Sequence, residues 1–262
     1  MIYTCYDMIR DCRADKSEGW SYFIAAYVPL IRKLLAHYVP ARAAEGALLE
    51  RILRAMRRPD SSLFQSLEPA PERWFVAELR QKVLAELEWP APDIDLPLEV
   101  VAAALDPLTL TEKQAAWIEG MGYGSRETGA MMRMAPVTVE KIREKAAELI
   151  RGASSGWRRT ILAENGWELG RAAAAASTKE CLPPKVFLDI LDGRTTWRGR
   201  EEMERHVNRC WCCIDLYCRM IEVVDLIRGV EPLPESEAAP LRELLGVRLA
   251  RPPLWKRFVG KA

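Results

Sequence analysis

Apolar residues recur at intervals of three and four along most of the chain, the spacing of one buried face on a helix. Trp20, Phe23, Ile24, Tyr27, Ile31, Leu34, Leu35 and Tyr38 predict a long first face, with Pro29 as a candidate kink. Leu48, Leu49, Ile52, Leu53 and Met56 predict a second helix with Arg51, Arg54, Arg57 and Arg58 on its exposed side, closed by Pro59-Asp60-Ser61-Ser62. A third opens near Pro71, a good first helical residue, and is expected to bury Trp74, Phe75, Leu79, Val83 and Leu87. The recurring period is that of helices, so the expected fold class is all-α.

The middle of the chain carries a different pattern. Prolines mark 91–107 as a linker with one short helical piece. Thr111 and Gln114 then read as a capping box at a helix start, broken by Gly120, Gly122 and Gly124. Ser125 is expected to cap a short helix through Met132. Pro136 opens a longer one with Val139, Ile142, Ala146, Leu149 and Ile150 on one face. Helix, glycine-bearing turn, short helix, turn and longer helix is the helix-turn-helix layout, whose last helix enters a major groove. Its exposed cations, Arg126, Arg133, Lys141, Arg143 and Lys145, are the candidate DNA contacts.

Residues 153–180, punctuated by glycine and serine, read as a second linker despite the helix-forming run Ala172–Ala176. Three helices follow, at Pro183–Leu191, Glu201–Asn208 and Cys213–Arg228, the last with Leu216, Met220, Val223, Val224 and Ile227 inward. The tail, 230–262, is Pro-rich, and its Leu254, Trp255 and Phe258 suggest a docking segment. The expected domains are therefore 1–90, 108–152 and 181–229.

Composition narrows the classes. The chain has 262 residues, enough for two or three small cores. Its 38 basic and 37 acidic residues exclude a globally basic nucleic-acid binder and leave local patches. Residues 91–151 hold 7 basic against 10 acidic side chains, whereas 126–151 hold 6 against 4. No apolar run is long enough to span a membrane, and MIYTCYDMIRDCRADK mixes charge with apolar residues too early for a signal peptide. A cytoplasmic protein with reduced or metal-bound thiols is expected.

Five of the seven cysteines fall between Cys181 and Cys218, with one of the two histidines. His206, Cys210 and Cys213 have H-x3-C-x2-C spacing. Two ligands four apart sit one helical turn apart, and a cysteine past a break in the helix can fold back to the same ion. With Cys181 they make a four-ligand set suited to structural zinc. Cys5 and Cys12, two helical turns apart, read as core residues, and His37 as structural. Cys212 and Cys218 are spare thiols, read as packed rather than as redox partners. Neither a nucleophile–base set nor a phosphate-cradling glycine loop is present, and four protein ligands leave a zinc ion no open position. The chain is not expected to be an enzyme.

These motifs together resemble a known family. Residues 105–151 resemble region 4 of sigma-70-type factors, through Leu110, Gln114, the Gly-Tyr-Gly-Ser turn at 122–125, Glu127 and the stretch Val139–Ala146. Residues 18–88 look like region 2 of the extracytoplasmic-function group, through the Trp20–Tyr38 helix and Trp74 followed by Arg80-Gln81. The cysteine-rich stretch is similar to the zinc-binding anti-sigma domain. The resemblance implies a transcription initiation regulator that binds core RNA polymerase and promoter DNA, controlled in cis by its zinc-binding domain and open to a regulatory protein partner. The chain departs from the family where its region 2 carries an acidic helix, holding Glu45 and Glu50 among arginines. It departs again where the family places an Asp and an Arg after the tryptophan, holding Ala85 and Glu88. The departures define an alternative: a sigma-derived module that binds a partner protein and no longer recognises promoters.

Overall fold

The computed structural model describes residues 3–39, 45–58, 61–65, 71–87, 97–153 and 161–248. These residues form fourteen helices and no strand, so the all-α expectation holds. No helix among them is long and apolar enough to cross a membrane. The chain divides into two compact units, Met1–Glu86 with Leu226–Ala262, and Leu87–Asp225.

The first unit is built on α2 (Ser17–Tyr38), which runs unbroken through Pro29 and buries Trp20, Phe23, Ile24, Tyr27, Ile31, Leu34 and Leu35. Around it pack α1 (Cys5–Arg13), α3 (Glu45–Arg57), α5 (Glu72–Ala85) and α14 (Glu235–Leu244), while the short α4 (Ser62–Gln65) packs on α1 and α5. Thr4 and Asp7 close a reciprocal capping box at the start of α1. Edge-on and stacked contacts join Trp20, Phe23, Tyr27, Phe64 and Phe75, with centroids 4.9 to 6.3 Å apart. Trp74, expected in this core, is only half-buried. Cys12 is buried and Cys5 half-buried, as core residues, and the His37 ring packs edge-on against Tyr38. The segment after α13 returns to this unit: Leu233 N–H donates to Ala25 C=O at 2.8 Å, and Arg32 pairs with Glu237.

The second unit is centred on α7 (Leu110–Gly120), whose last eight residues, Lys113 to Gly120, are all buried. It contains α6 (Leu98–Leu105), α8 (Ser125–Met132), α9 (Pro136–Ala153), α10 (Ile161–Ala175), α11 (Pro184–Leu191), α12 (Trp197–Val207) and α13 (Trp211–Ile227) as far as Asp225. Helices α8, α9 and α10 pack on α7, and α6 packs on α9.

Several expectations are corrected here. The capping box of α7 is Thr109 with Glu112, not Thr111 with Gln114, because a carboxylate three residues after a threonine can accept from the cap backbone. Gly124, not Ser125, is the N-cap of α8; its N–H donates to Glu127 at 3.0 Å, and Ser125 turns inward. The stretch 153–180 is not a plain linker, since most of it is α10, which buries Leu169 and Ala173. The helices expected at 108–152 and 181–229 fall, as far as Asp225, in one compact unit, where Trp117 donates to Asp215 and Tyr123 to Glu222. Leu254, Trp255 and Phe258 lie outside the described residues.

Candidate metal centre

Cys181 lies in the turn between α10 and α11, His206 in the last turn of α12, Cys210 in the break that follows, and Cys213 in the first turn of α13. The break falls before Cys210 and not after it, so the histidine and this cysteine do not share a helix. The fold nevertheless brings all four together: their ligand atoms lie within 4.8 Å of one another. Cys181 Sγ is 3.6 Å from Cys210 Sγ, and His206 Nε2 is 3.2 Å from Cys213 Sγ. A disulfide would need about 2.05 Å, and all seven cysteines are free. The cluster can hold a metal ion.

Backbone donors already point at the sulfurs. Thr178 N–H donates to Cys181 Sγ at 3.2 Å, with its hydroxyl at 3.7 Å. Leu182 N–H donates to Cys213 Sγ at 3.4 Å. Such bonds orient a thiolate and stabilise its charge. Burial pushes the Cys181 thiol up, but the hydrogen bonds from Thr178, Cys210 and Ser177 outweigh it and leave the group at about 6. Burial pushes Cys213 well above the ordinary thiol range. Three thiols this close do not all ionise unaided; a bound cation removes that obstacle by deprotonating its ligands outright.

A cavity of about 660 Å³ opens beside the cluster, lined by His206, Cys210 and Cys212 with Glu180, Glu202, Arg205 and Arg209 around it. Burial holds the Cys212 thiol up at about 11. Cys218 is fully enclosed and directed at the Gln114 carbonyl, 3.8 Å away, so it packs as a small hydrophobe.

The five candidate DNA contacts are all exposed but not equivalent. A three-residue turn, 133–135, joins α8 to α9. Arg133 begins it in the left-handed region at φ 55°, and Met134 N–H closes it onto Gly129 C=O at 2.8 Å. At about 100° per residue, Val137, Lys141, Glu144 and Glu148 form the line of α9 opposite its buried Val139, Ala146 and Ile150. Lys145 is paired with Glu112 at 2.8 Å, and Arg143 reaches Ser125 Oγ at 3.4 Å. Arg126, Arg133 and Lys141 are exposed on and around the α8–α9 turn.

Spacing did not reveal Lys113 or Thr178. Lys113 is 1 % exposed and donates from Nζ to Asn208 C=O at 2.9 Å, within the ligand-bearing turn. Its sequence signal is weak: a lysine between a cap and an Ala-Ala-Trp run. Thr178 had a clearer one, a hydroxyl residue in a polar loop, and its Oγ1 accepts from Glu180 N–H at 3.3 Å in a side-chain-stabilised turn. Comparison with protein-family models, with curated proteins and with solved structures returns no match.

Proposed function

We propose that the chain is a transcription regulator of sigma-factor type. In this reading it holds a structural zinc ion through Cys181, His206, Cys210 and Cys213, and meets promoter DNA with α8 and α9. The observation that carries the reading is the short helix, three-residue turn and longer helix built on α7, whose last eight residues are buried. This is the local form of a helix-turn-helix, in which the N-terminal residues of the second helix reach base edges. Zinc is the ion of choice because three thiolates and one imidazole are one of its common structural sets; bonds of about 2.3 Å to sulfur and 2.0 Å to nitrogen give tetrahedral edges of roughly 3.5–3.8 Å, against 3.6 Å for Cys181–Cys210, 3.2 Å for His206–Cys213 and an outer limit of 4.8 Å among the four atoms. The zinc segment supports α7 from within the same unit and leaves Lys141 exposed. Control in cis then works by holding the reader together more than by covering it.

The test is DNA binding by the full chain against a pool of duplexes, followed by titration of purified core RNA polymerase. Lys141→Ala should weaken DNA binding and lower the salt slope by about one. Lys145→Ala should cost little binding and, as a part-exposed ion pair, no more than about 1 kcal/mol of stability. If Lys141→Ala binds DNA as the parent does, this helix is not the reader.

The second reading, a protein-interaction module without promoter recognition, draws on Glu144 and Glu148, which stand on the outer line of α9 where phosphate would repel them. Polymerase capture without any DNA affinity would favour it.

A further inference from the structure

The α12–α13 turn that supplies Cys210 begins at a helix end, where the last carbonyls have no intrahelical partner. Asn208 is the C-cap of α12. The partner of its C=O comes from α7: Lys113 Nζ, 2.9 Å away, with the exposed Asp106 carboxylate at 3.6 Å as its counter-ion. A lysine that is 1 % exposed is unusual, since an ammonium is costly to bury unless its partners compensate it. A centre of three thiolates and one dication carries one net negative charge, and a cation at the end of α12 also meets the negative pole of that helix.

Lys113 is not an isolated tie. Trp117 Nε1 donates to Asp215 Oδ1 at 3.0 Å, and its ring lies 5.2 Å from that of Trp211, the residue after Cys210. Just past α7, Tyr123 OH donates to the buried Glu222 Oε1 at 2.6 Å. One side of α7 is therefore joined to the ligand-bearing turn and α13, while α8 and α9 rest on the same helix.

We propose that Lys113 is a positioning residue of the metal centre, and that through α7 metal loading holds the α8–α9 surface in place. The inference rests on the metal reading above and deepens it: metal occupancy regulates the surface that meets a ligand. It does so by thermodynamic linkage, because an ion that binds only the ordered turn stabilises whatever the turn is joined to.

The experiment uses the full chain. Zinc affinity is measured by competition with a chromogenic chelator for the parent, Lys113→Met and Lys113→Gln, with helix content followed by circular dichroism. Direct partners of metal ligands are worth about 10- to 100-fold, and Lys113 acts one step further out, through Asn208, so Lys113→Met should weaken zinc by up to about 10-fold. Lys113→Gln, which can still donate to Asn208 C=O without the charge, should fall between. In parallel, hydrogen exchange of the parent is compared with and without zinc. Removal should speed exchange at Ala115–Ile118 and Val139–Ile150 as well as around Cys210. A folded Lys113→Met that binds zinc as tightly as the parent overturns the positioning role. Unchanged α7 and α9 amides on zinc removal overturn the linkage, and that arm decides even if the variant fails to fold. A parent chain that takes up no zinc refutes the metal reading itself, and this inference falls with it.

Discussion

Two buried carboxylates pull in opposite directions with pH. Asp11 accepts from the Arg10 guanidinium, from Tyr3 OH and from Lys16, and the Arg10 bond leads in holding its carboxyl down at about 2 despite burial. Its contribution is therefore present above the ordinary carboxylate value and lost as pH falls toward 2. Held at about 2, the carboxyl contributes at most roughly 2 kcal/mol, since its partners Arg10 and Lys16 are half-exposed and screened by water. Asp11→Asn should cost up to that much at neutral pH and almost nothing near pH 2 in denaturant titrations; an equal cost at both would refute it. Glu119 behaves inversely. Burial raises it above 4.5, against the Ser125 hydrogen bond and nearby Arg143, and its Oε2 is buried without a hydrogen-bond partner. A raised carboxyl disfavours folding once pH climbs past the unfolded value. Glu119→Gln, which keeps an acceptor for Ser125, should thus flatten the fall in stability between pH 4.5 and neutrality. Parallel pH curves for parent and variant would sink this. Neither residue announced itself in the sequence, because a lone Asp or Glu inside a helical pattern reads as solvated surface. The candidate metal ligands were legible for the opposite reason: H-x3-C-x2-C is local, and only Cys181 had to be supplied from a distance.

At the scale of elements, legibility followed the contrast between a helix's two faces. Helix α2 has one apolar face of large residues, so Trp20 to Leu35 could be read directly. Helix α7 has no solvent face to contrast with: Lys113, Gln114 and Glu119 are buried beside Ala115, Ala116 and Trp117, and no period marks them as core. Helix α10 escaped because its buried Ala173 is too small to stand out in an alanine run. The turn between α8 and α9 was legible as a break but not in its geometry. A Cβ on Gly129 would sit 2.7 Å from Met134 C=O, a backbone atom that cannot rotate aside. Gly129→Ala must therefore open the turn and should cost about 1–3 kcal/mol. Gly152, in the last turn of α9 with nothing within 4 Å of an added Cβ, is the control. Gly152→Ala should stabilise by about 0.5–1 kcal/mol. Thermal melts read both, and a Gly129→Ala chain as stable as Gly152→Ala would mean the turn relaxes freely.

The whole molecule was the least legible scale, because its units are not contiguous in sequence. Pro-rich composition marked 230–262 as a tail, yet α14 packs on α2. Ala238, Leu245 and Val247 are buried, Arg242 pairs with Glu235, and the Leu233 bond to Ala25 anchors the approach. Pairing across some 200 residues leaves no local signal, since each partner alone is only a half-apolar stripe. A cut behind α9 would take α14 from α2 and α10 from α7 together, so it disturbs both units at once. A cleaner cut removes 231–262. The burial that Leu245 and Val247 provide goes with them, and at about 1.5–3 kcal/mol for each such side chain the loss is at most roughly 3–6 kcal/mol. The shortened chain should melt earlier and be cut first by protease within Met1–Glu86, while zinc uptake, which depends on Leu87–Asp225, stays at the parent level. If the cut chain melts and digests as the parent does, α14 is a passive appendage of the first unit. If zinc uptake falls as well, the two units do not fold independently.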